Sequence, residues 1–424
     1  MPTRLRSTVA RLRQTLRDVH GDGRGWTLLT VAGGWFFLLG LRFVVPALLP
    51  AITREFPVSN AAAGAAITLL WVTYAAMQFP AGALVDRLGE RRLLVASLLV
   101  GAAGLVGYTF SPTFAVFLAA TAAFGFGSGL YGPPRGTVLS RTFPDRDGIA
   151  FGGVLAAGSL GSALLPVLAT AIAATAGWRT AIAVTVPGFL LVAVALWRVV
   201  PAAGPTGTGQ EQTATTDGGT TGVRATAGAV VDAVRGRGVT LAAVAAALML
   251  FVFQGLTAFF TTYLVEVKGL TEGTAGLLFG LLFVSGAVWQ SLGGGLADRY
   301  GHGPVLAAVA FVGAVPLLAL PLASSQLALA GVAIFLGVRL AMGPISNAYV
   351  VSLLPTNVRG TAWGSLRTLF FGVGAFGSTA VGTMADRALF AEAFVLLAAL
   401  SAVAGLVYLF LPAREPSRPP SESD

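Results

Sequence analysis

The amino-acid sequence predicts an all-α membrane protein whose twelve transmembrane helices form two pseudo-symmetric six-helix halves. Three observations predict this fold: an apolar composition, twelve long apolar runs and an internal duplication. Hydrophobic residues make up 55% of the 424 residues and charged residues 11%, and the mean hydropathy is +0.80. A water-soluble core of this length could not bury so much apolar surface. Lipid is therefore the expected solvent.

Each predicted helix is an apolar run of about 20 residues, the length that crosses the hydrocarbon layer. A closed barrel is the only rival, because lipid cannot satisfy open backbone groups, and the alternating pattern of a barrel is absent. Helices 1 to 12 are predicted near residues 27–51, 61–83, 93–110, 114–140, 149–175, 180–200, 239–263, 273–296, 304–322, 327–352, 363–384 and 391–411.

The duplication is visible in two stretches that lie 212 residues apart. Residues 82–89 read GALVDRLG and residues 294–301 read GGLADRYG, and the same offset aligns Gln78 with Gln290. Internal similarity between two hydrophobic halves is typical of membrane transporters. The predicted organisation is a cytoplasmic N-terminal segment 1–24, a first half 25–200, a linker 201–238, a second half 239–412 and a cytoplasmic tail 413–424.

Two of these segments lie outside the predicted bundle. The N-terminal segment carries six arginines and apolar residues at helical spacing, so it reads equally as a helix on the anionic inner leaflet or as a solvated tail. Residues 201–222 are rich in Gly, Thr, Pro and Ala and read as a flexible linker, followed by a short surface helix over 223–237.

Basic residues orient the helices. With the N-terminus in the cytoplasm, 19 of the 27 basic residues fall on the cytoplasmic side and only Arg54, Arg179, Lys268 and Arg387 fall outside. This positive-inside bias predicts a multi-pass protein of the cytoplasmic membrane with both termini in the cytoplasm. The net charge of +9 then reflects topology, and nucleic-acid binding has little support because the arginines are spread over short loops.

The residue inventory argues against an enzyme and against a bound metal or cofactor. The chain has no cysteine, and its two histidines, His20 and His302, both fall on the cytoplasmic side. An intramembrane enzyme would need a nucleophile with a base, or metal ligands, at membrane depth. A membrane sensor would need a signalling domain, and none fits in the chain.

The charged turn after helix 2 resembles a motif of the major facilitator superfamily. The segment Gly82 to Arg92 is similar to the sequence that joins helices 2 and 3 in that family, residues 294–301 match its second copy, and Gly177-Trp178-Arg179 is also similar to the family. A tight basic turn that merely holds positive charge inside is the alternative, and two copies at matched positions argue against it. The resemblance covers the whole chain and implies transport by alternating access.

The motif can act as a gate between conformations. A carboxylate such as Asp86 can pair with arginines or cap a helix N-terminus. The resemblance implies that Asp86 meets the start of helix 11 in the outward-facing state and that Asp298 meets the start of helix 5. Gly82 and Gly89 are expected to allow close helix approach and a tight turn. The predicted gate residues are Gly82, Asp86, Arg87, Gly89, Arg91, Asp298, Arg299, Arg135 and Arg367.

Four arginines lie in the interiors of predicted helices, where each costs about 2.5 to 3.5 kcal/mol on insertion scales. Arg135 and Arg367 lie nearer the cytoplasm and can snorkel or bind carbonyls of the inner gate. For the deeper Arg42 and Arg339, a structural pairing and a ligand contact both stay open. No helix interior contains Asp or Glu, so an anion is the natural complement. The resemblance places all four on helices that line or flank the cavity, whereas helices 3, 6, 9 and 12 are expected to face lipid.

The predicted function is secondary active transport of a small organic anion, a carboxylate or phosphate-bearing solute, by a monomer. Aromatic residues near the site can also serve packing alone. The alternative is a proton-coupled multidrug exporter of the same family, although the helix 4 arginine and the late Gly-Pro pair of helix 5 that such exporters usually carry are not clear here. The predicted substrate-binding residues are Arg42, Arg339, Gln254, Tyr74, Gln78, Tyr131, Gln290 and Asn347.

Overall fold

A computed structural model describes residues 23–202, 235–355 and 359–412. In these three ranges the regular secondary structure is entirely helical, and twelve helices are long and apolar enough to span a membrane. The predicted fold class and all twelve predicted helices are thereby confirmed. The helices are α1 Arg24–Ala47, α2 Asn60–Leu88, α3 Glu90–Thr109, α4 Phe114–Thr142, α5 Asp147–Ala176, α6 Trp178–Val199, α7 Arg237–Glu266, α8 Glu272–Tyr300, α9 His302–Leu322, α10 Gln326–Leu353, α11 Arg359–Ala385 and α12 Phe390–Leu409.

Glycine and hydroxyl side chains set several helix ends. Gly89 separates α2 from α3 with a φ of 77°, and its repeat equivalent Gly301 separates α8 from α9 with a φ of 88°. This left-handed conformation favours glycine, so the tight turn expected at Gly89 is present, and Gly301 adopts the same conformation in the second copy. The hydroxyl of Ser59 accepts a hydrogen bond from the backbone of Ala62 at 3.1 Å and caps α2.

Prolines interrupt the long helices. After Leu48, α1 is continued by the short helix Leu49–Glu55, with Pro50 at its second position. Helix α4 breaks at Tyr131 and resumes as Gly132–Thr142, where Pro133 and Pro134 follow the break. Helix α10 contains a 3₁₀ segment, Gly337–Ala341, just before Pro344. Proline lacks the N–H of the helical ladder, which explains why these helices break where they do.

Contacts divide the described chain into two compact units. The first unit holds the residues up to 202 together with Gln254–Val284 and Ala375–Phe390. Small residues let its helices approach closely: a Cβ added to Gly104 of α3 would lie 2.7 Å from the backbone nitrogen of Phe124 in α4. Such small-residue contacts are the usual glue between helices in lipid, where the hydrophobic effect does not drive association.

The second unit holds residues 235–253, Ser285–Gly374 and the described residues from Ala391 to 412. Its core includes a cluster of buried apolar side chains that contains Met249, Leu306, Ile345 and Tyr408. The two units are defined by contacts in space and not by the sequence repeat. They therefore do not test the predicted halves 25–200 and 239–412, which stay a prediction. The predicted inner-leaflet segment, the linker with its surface helix and the C-terminal tail lie almost wholly outside the described residues.

Candidate functional site

Arg42 lies buried near the end of α1, with only 2% of its surface exposed. Its Nε donates a hydrogen bond to the hydroxyl of Ser128 in α4 at 2.6 Å. The guanidinium carbon lies 4.0 Å from the ring centroid of Tyr74 and 5.4 Å from that of Trp71, both on α2. The aromatic faces attract the cation and offset part of its desolvation. Three helices therefore hold this guanidinium in place.

Trp35 joins Arg42 to a second arginine. The guanidinium carbon of Arg42 lies 5.1 Å from the Trp35 ring centroid, and that of Arg135 in α4 lies 3.9 Å from the same centroid. Trp35 and Arg42 are seven residues apart on α1, about two turns, so they share one face of the helix. The residues Trp35, Arg42, Trp71, Tyr74 and Arg135 are called the Trp35 cluster below, and all five belong to the first compact unit.

Tyr131 packs beside this cluster. Its ring stacks on Trp35 with centroids 6.3 Å apart, and its hydroxyl donates a hydrogen bond to the carbonyl of Val31 at 2.8 Å. The side chain is fully buried. This geometry makes Tyr131 a support for the indole of Trp35, and its predicted contact with substrate stays a prediction.

Arg339 has partners within its own unit, which bears on the choice between a structural pairing and a ligand contact. The side chain is 2% exposed and lies in the 3₁₀ segment of α10. Its Nη1 donates hydrogen bonds to the hydroxyl of Ser401 in α12 at 3.1 Å and to the carbonyl of Gly313 in α9 at 3.3 Å. Because α9 and α12 are the helices expected to face lipid, this geometry favours the structural alternative for Arg339.

Gln254 occupies the position that the repeat aligns with Arg42. Its side chain is 1% exposed, and within the described part of the chain neither its amide oxygen nor its amide nitrogen has a hydrogen-bond partner. A buried amide without partners is costly, and such groups usually bind a ligand or a water molecule. Contact of Gln254 with substrate stays a prediction.

The other predicted substrate residues differ in their surroundings. Gln78 is half-buried and donates its amide hydrogen to the carbonyl of Gly129 at 3.1 Å. Its repeat equivalent Gln290 is also half-buried, whereas Asn347 is exposed. Contact of these three with substrate stays a prediction.

The charged motif is anchored through residues around Asp86. Asp86 and Arg87 are exposed, and among the described residues Asp86 makes no hydrogen bond or ion pair. Next to them, Glu90 is buried and accepts a hydrogen bond from Arg141 of α4 at 2.9 Å. The guanidinium carbon of Arg91 lies 4.4 Å from the ring centroid of Trp197 in α6. Thus the turn between α2 and α3 is tied to α4 and α6.

A Cβ placed at Gly82 would meet open space among the described residues, and the close helix approach expected there stays a prediction. The second copy is also open, since Asp298 and Arg299 are exposed. In α11, the guanidinium carbon of Arg367 lies 5.5 Å from the ring centroid of Phe371. The predicted contacts of Asp86 with the start of α11 and of Asp298 with the start of α5 stay predictions.

A second polar network lies at the opposite end of the first compact unit. The carboxylate of Asp386 accepts hydrogen bonds from the backbone nitrogens of Asn60 at 2.6 Å and Ala61 at 2.9 Å. Arg54 forms an ion pair with Glu272 at the start of α8. Asn60 and Glu272 are 212 residues apart, so the two contacts hold equivalent helix starts in the two copies of the repeat.

The Gly-Trp-Arg motif belongs to this same end. Trp178 donates its indole hydrogen to the carboxylate of Glu55 at 2.6 Å, and Arg179 forms an ion pair with that carboxylate. The hydrogen bond from Arg179, with a smaller contribution from Trp178, lowers the pKa of Glu55 despite the opposing effect of burial. The sequence did not indicate Glu55 or Asp386 as partners, because both act on residues far away along the chain.

No group of three or more His, Cys, Asp or Glu side chains that could hold a metal ion occurs within residues 23–202, 235–355 and 359–412. Buried cationic side chains occur within the spanning helices of each compact unit, and the buried amide of Gln254 lies in the first. Residues 30–379 match the model of the Major Facilitator Superfamily. The chain belongs to this family and is a transporter, not an enzyme.

Individual relatives agree with this assignment. The chain is 25% identical to the "Uncharacterized MFS-type transporter YfnC" of Bacillus subtilis (strain 168) over 394 residues, which cover 89% of this chain and 90% of the relative. Its structure is similar to that of a bacterial homolog to the human lysosomal transporter Spinster, with a TM-score of 0.75, 16% identity and coverage of 92% and 97%. It is also similar to the nucleoside transporter NupG, with a TM-score of 0.74, 15% identity and coverage of 91% and 99%. At these identities the two structures show the shared fold alone.

Proposed function

We propose that this transporter is a secondary active carrier of a small organic anion with a carboxylate or phosphate group. It works as a monomer in the cytoplasmic membrane, with both termini in the cytoplasm. The observation that carries the proposal is the guanidinium of Arg42, buried within the long apolar helix α1 and fixed by Ser128 and three aromatic rings.

The charge distribution within the spanning helices favours an anionic ligand. In the spans as described, every acidic residue lies within three residues of a helix end. Four arginines lie deeper: Arg42, Arg135, Arg339 and Arg367. The interior therefore carries net positive charge, which attracts an anion and repels a cation in a medium of low dielectric constant.

The hydrogen-bonding groups support the same ligand class. A guanidinium binds carboxylate or phosphate through two parallel hydrogen bonds, which a point charge cannot reproduce. The buried amide of Gln254 offers both donors and an acceptor for the polar remainder of such a solute.

The runner-up function is proton-coupled multidrug export. It is favoured by an aromatic cluster in the first compact unit. The ring centroid of Phe43 lies 4.5 Å from that of Phe283 and 6.0 Å from that of Trp71. Clustered aromatic rings suit flat apolar ligands. The lack of a carboxylate deep within the described spans weighs against it, because proton coupling commonly uses a buried acid.

A ligand panel built from matched sets tests the proposal. Each set contains a carboxylate, its neutral amide and a cationic amine of the same size, and binding is measured on the purified transporter. We expect the carboxylates to bind best, and Arg42→Gln to weaken their binding by at least about tenfold. Arg42→Lys should recover only part of the loss. Arg198→Gln, at the exposed end of α6, is the control and should bind like the wild type.

Reconstituted vesicles supply the transport measurement. The best anion of the panel should accumulate in vesicles that contain the wild type and not in those that contain Arg42→Gln. If the best ligand is a cation, or if Arg42→Gln binds and transports normally, the proposal fails and multidrug export takes its place.

A further inference from the structure

We infer that the second compact unit binds one acidic phospholipid, with an acyl chain in an apolar groove between α8 and α9 and the phosphate at the turn that joins these helices. The groove is a cavity of about 420 Å³, and all of its lining residues belong to that unit. None of the predicted substrate-binding residues lines it. The inference therefore goes beyond the proposed function and does not depend on it.

One face of each helix forms a wall of the groove. On α8 the lining residues recur at helical spacing and include Trp289, Leu292, Leu296 and Tyr300. On α9 they are Pro304, Val305, Ala308, Val309 and Val312. Helix α10 contributes the buried Val338 and Ala341 of its 3₁₀ segment. An apolar groove of this kind is favourable for a hydrocarbon chain and unfavourable for water.

The length of the groove suits a single acyl chain. Helix α8 rises about 16 Å between Trp289 and Tyr300, which is about half of the hydrocarbon thickness of a bilayer. The indole N–H of Trp289 donates a hydrogen bond to the carbonyl of Ile334 at 3.0 Å. The polar atom of this indole is thereby satisfied, and its ring adds apolar surface to the groove.

A more polar cavity adjoins the groove at the turn between α8 and α9. Its volume is about 620 Å³, and Tyr300 and Pro304 line both cavities. The polar side chains that line only the second cavity are Asp298, His302 and Tyr349. An apolar groove that meets a polar cavity fits an amphiphile with a chain and a headgroup.

The groups around the second cavity favour a phosphate. The guanidinium carbon of Arg299 lies 5.2 Å from the ring centroid of Tyr300, so this cation lies beside a residue that both cavities share. The imidazole of His302 can donate a hydrogen bond. His302 and Gly303 also begin α9, and the first N–H groups of a helix have no partner within the helix and attract an anion.

Asp298 restricts the rest of the headgroup. Its carboxylate is exposed and lines the same cavity. It repels a bare phosphate and accepts hydrogen bonds from donor groups. A glycerol headgroup places hydroxyl donors beyond the phosphate and keeps a single negative charge. Phosphatidylglycerol therefore has the chemistry that the two cavities require.

The fluorescence of Trp289 reports where the chain lies. The probe is phosphatidylglycerol with brominated acyl chains, added to the purified transporter in a neutral maltoside detergent, because bromine quenches a tryptophan that it contacts. We expect saturable quenching in the wild type that is largely lost in Trp289→Phe. Equal quenching in the two proteins would overturn the position of the chain.

Matched probes separate the lipid from its parts. Brominated diacylglycerol keeps the chains and lacks the phosphate, and glycerophosphoglycerol keeps the headgroup and lacks the chains. Phosphatidylglycerol should bind at least about tenfold more tightly than diacylglycerol. Glycerophosphoglycerol should not displace it. Equal binding of diacylglycerol would refute the phosphate contact, and displacement by glycerophosphoglycerol as efficient as by the whole lipid would indicate a site for soluble phosphate esters instead.

Phosphatidic acid tests the role of Asp298, because it keeps the chains and the phosphate and lacks the glycerol headgroup. It should bind more weakly than phosphatidylglycerol to the wild type and about equally to Asp298→Asn. Tighter binding of phosphatidic acid than of phosphatidylglycerol to the wild type would contradict the headgroup that we infer.

Variants with matched controls assign the remaining contacts. Arg299→Gln should weaken phosphatidylglycerol by at least about threefold and leave diacylglycerol unchanged, whereas Arg198→Gln should change neither. Ala308→Phe fills the groove from an exposed position and should weaken both lipids, whereas Ala399→Phe, exposed on α12 and outside both cavities, should not. Unchanged binding in Ala308→Phe would refute the groove as the site. Equal weakening of both lipids by Arg299→Gln would refute the contact with the phosphate.

Discussion

The carboxylate of Asp386, which directly follows α11, accepts hydrogen bonds from the backbone N–H groups of Asn60 and Ala61 at the start of α2. The first N–H groups of a helix have no partner inside the helix, and the helix dipole favours a negative charge there. At the start of α8 the corresponding residue is itself acidic, Glu272, and it pairs with Arg54. The two repeats thus hold equivalent helix starts by different contacts.

This relationship predicts a conformational effect of Asp386→Ala. A capping carboxylate generally contributes about 0.5 to 2 kcal/mol, so its loss should shift the carrier several-fold toward conformations in which α2 and the end of α11 separate. Because the chain has no native cysteine, a single cysteine at the buried Thr68, which bonds to Thr379 across this contact, reports the change. Its rate of reaction with a thiol reagent should rise several-fold in Asp386→Ala.

Two variants control this measurement. Asp145→Ala removes an exposed acid elsewhere and should leave the labelling rate unchanged. Arg54→Gln breaks an ion pair whose arginine side chain is 63% exposed, and such pairs contribute little, so its effect should be clearly smaller than that of Asp386→Ala. An unchanged labelling rate in Asp386→Ala would show that this contact does not hold the conformation.

Glycines at helix contacts give a prediction about stability. A Cβ at Gly161 of α5 would lie against the carbonyl oxygen of Phe36 in α1, closer than real Cβ contacts occur, whereas a Cβ at Gly153 of the same helix would meet open space. Gly161→Ala should therefore force the two helices apart and lower the thermal stability markedly, by about 1 to 3 kcal/mol. Gly153→Ala should be neutral or stabilise by up to about 1 kcal/mol. Thermal unfolding in detergent compares the two, and equal effects would contradict the packing described.

The pKa of Glu55 predicts how this end of the protein responds to acid. Its ion pair with Arg179 lowers the pKa, so the folded state binds the proton less tightly than the unfolded state does. The resulting stability is present above the usual Glu pKa, near 4.3, and is lost as the pH falls through the lower folded value. The effect should be small, because the side chain is 46% exposed. Thermal unfolding from pH 7 to pH 3 should show a steeper loss below about pH 5 in the wild type than in Glu55→Gln; parallel curves would exclude this contribution.

The orientation in the membrane can be tested with conservative cysteines. The positive-inside bias puts Ser324, in the loop between α9 and α10, outside and Ser140, near the end of α4, inside. Both serines are exposed in the described structure, and cysteine differs from serine by one atom. An impermeant thiol reagent should label Ser324→Cys in intact cells and should label Ser140→Cys only after the cells are opened. The reverse pattern would overturn the orientation.

The sequence predicted the features that depend on local pattern. The twelve helices follow from apolar runs, and the turns at Gly89 and Gly301 follow from two copies of one motif, because the left-handed backbone there favours glycine. The position of Arg42 inside a long apolar helix was also readable from the sequence. The sequence could not indicate the contacts of Trp35 with two arginines, since these depend on how α1 and α4 rotate about their axes. The hydrogen bond between Asp386 and the start of α2 joins residues more than 300 positions apart, so no local sequence pattern indicates it.

The direction in which a side chain points, which the sequence does not show, also decides the role of Arg339. By its position in the sequence, Arg339 was predicted to lie as deep in the membrane as Arg42. In the structure its side chain donates hydrogen bonds to Ser401 of α12 and to the carbonyl of Gly313 in α9. We therefore expect Arg339→Ala to act on stability. The truncation leaves a cavity and removes buried hydrogen bonds, so unfolding should become easier by about 2 to 5 kcal/mol. Arg339→Met keeps most of the volume without the charge and should be far less destabilising.

Ligand binding separates this role from the role of Arg42. In Arg339→Met, the affinity for the best anion should stay within about threefold of the wild type, because the side chain is held among α9, α10 and α12. In Arg42→Gln, the affinity should fall by at least about tenfold while the melting temperature changes little. Titration calorimetry and thermal unfolding on the same preparations measure both quantities. A loss of affinity in Arg339→Met as large as that in Arg42→Gln would return Arg339 to the substrate site, where its depth in the sequence had placed it.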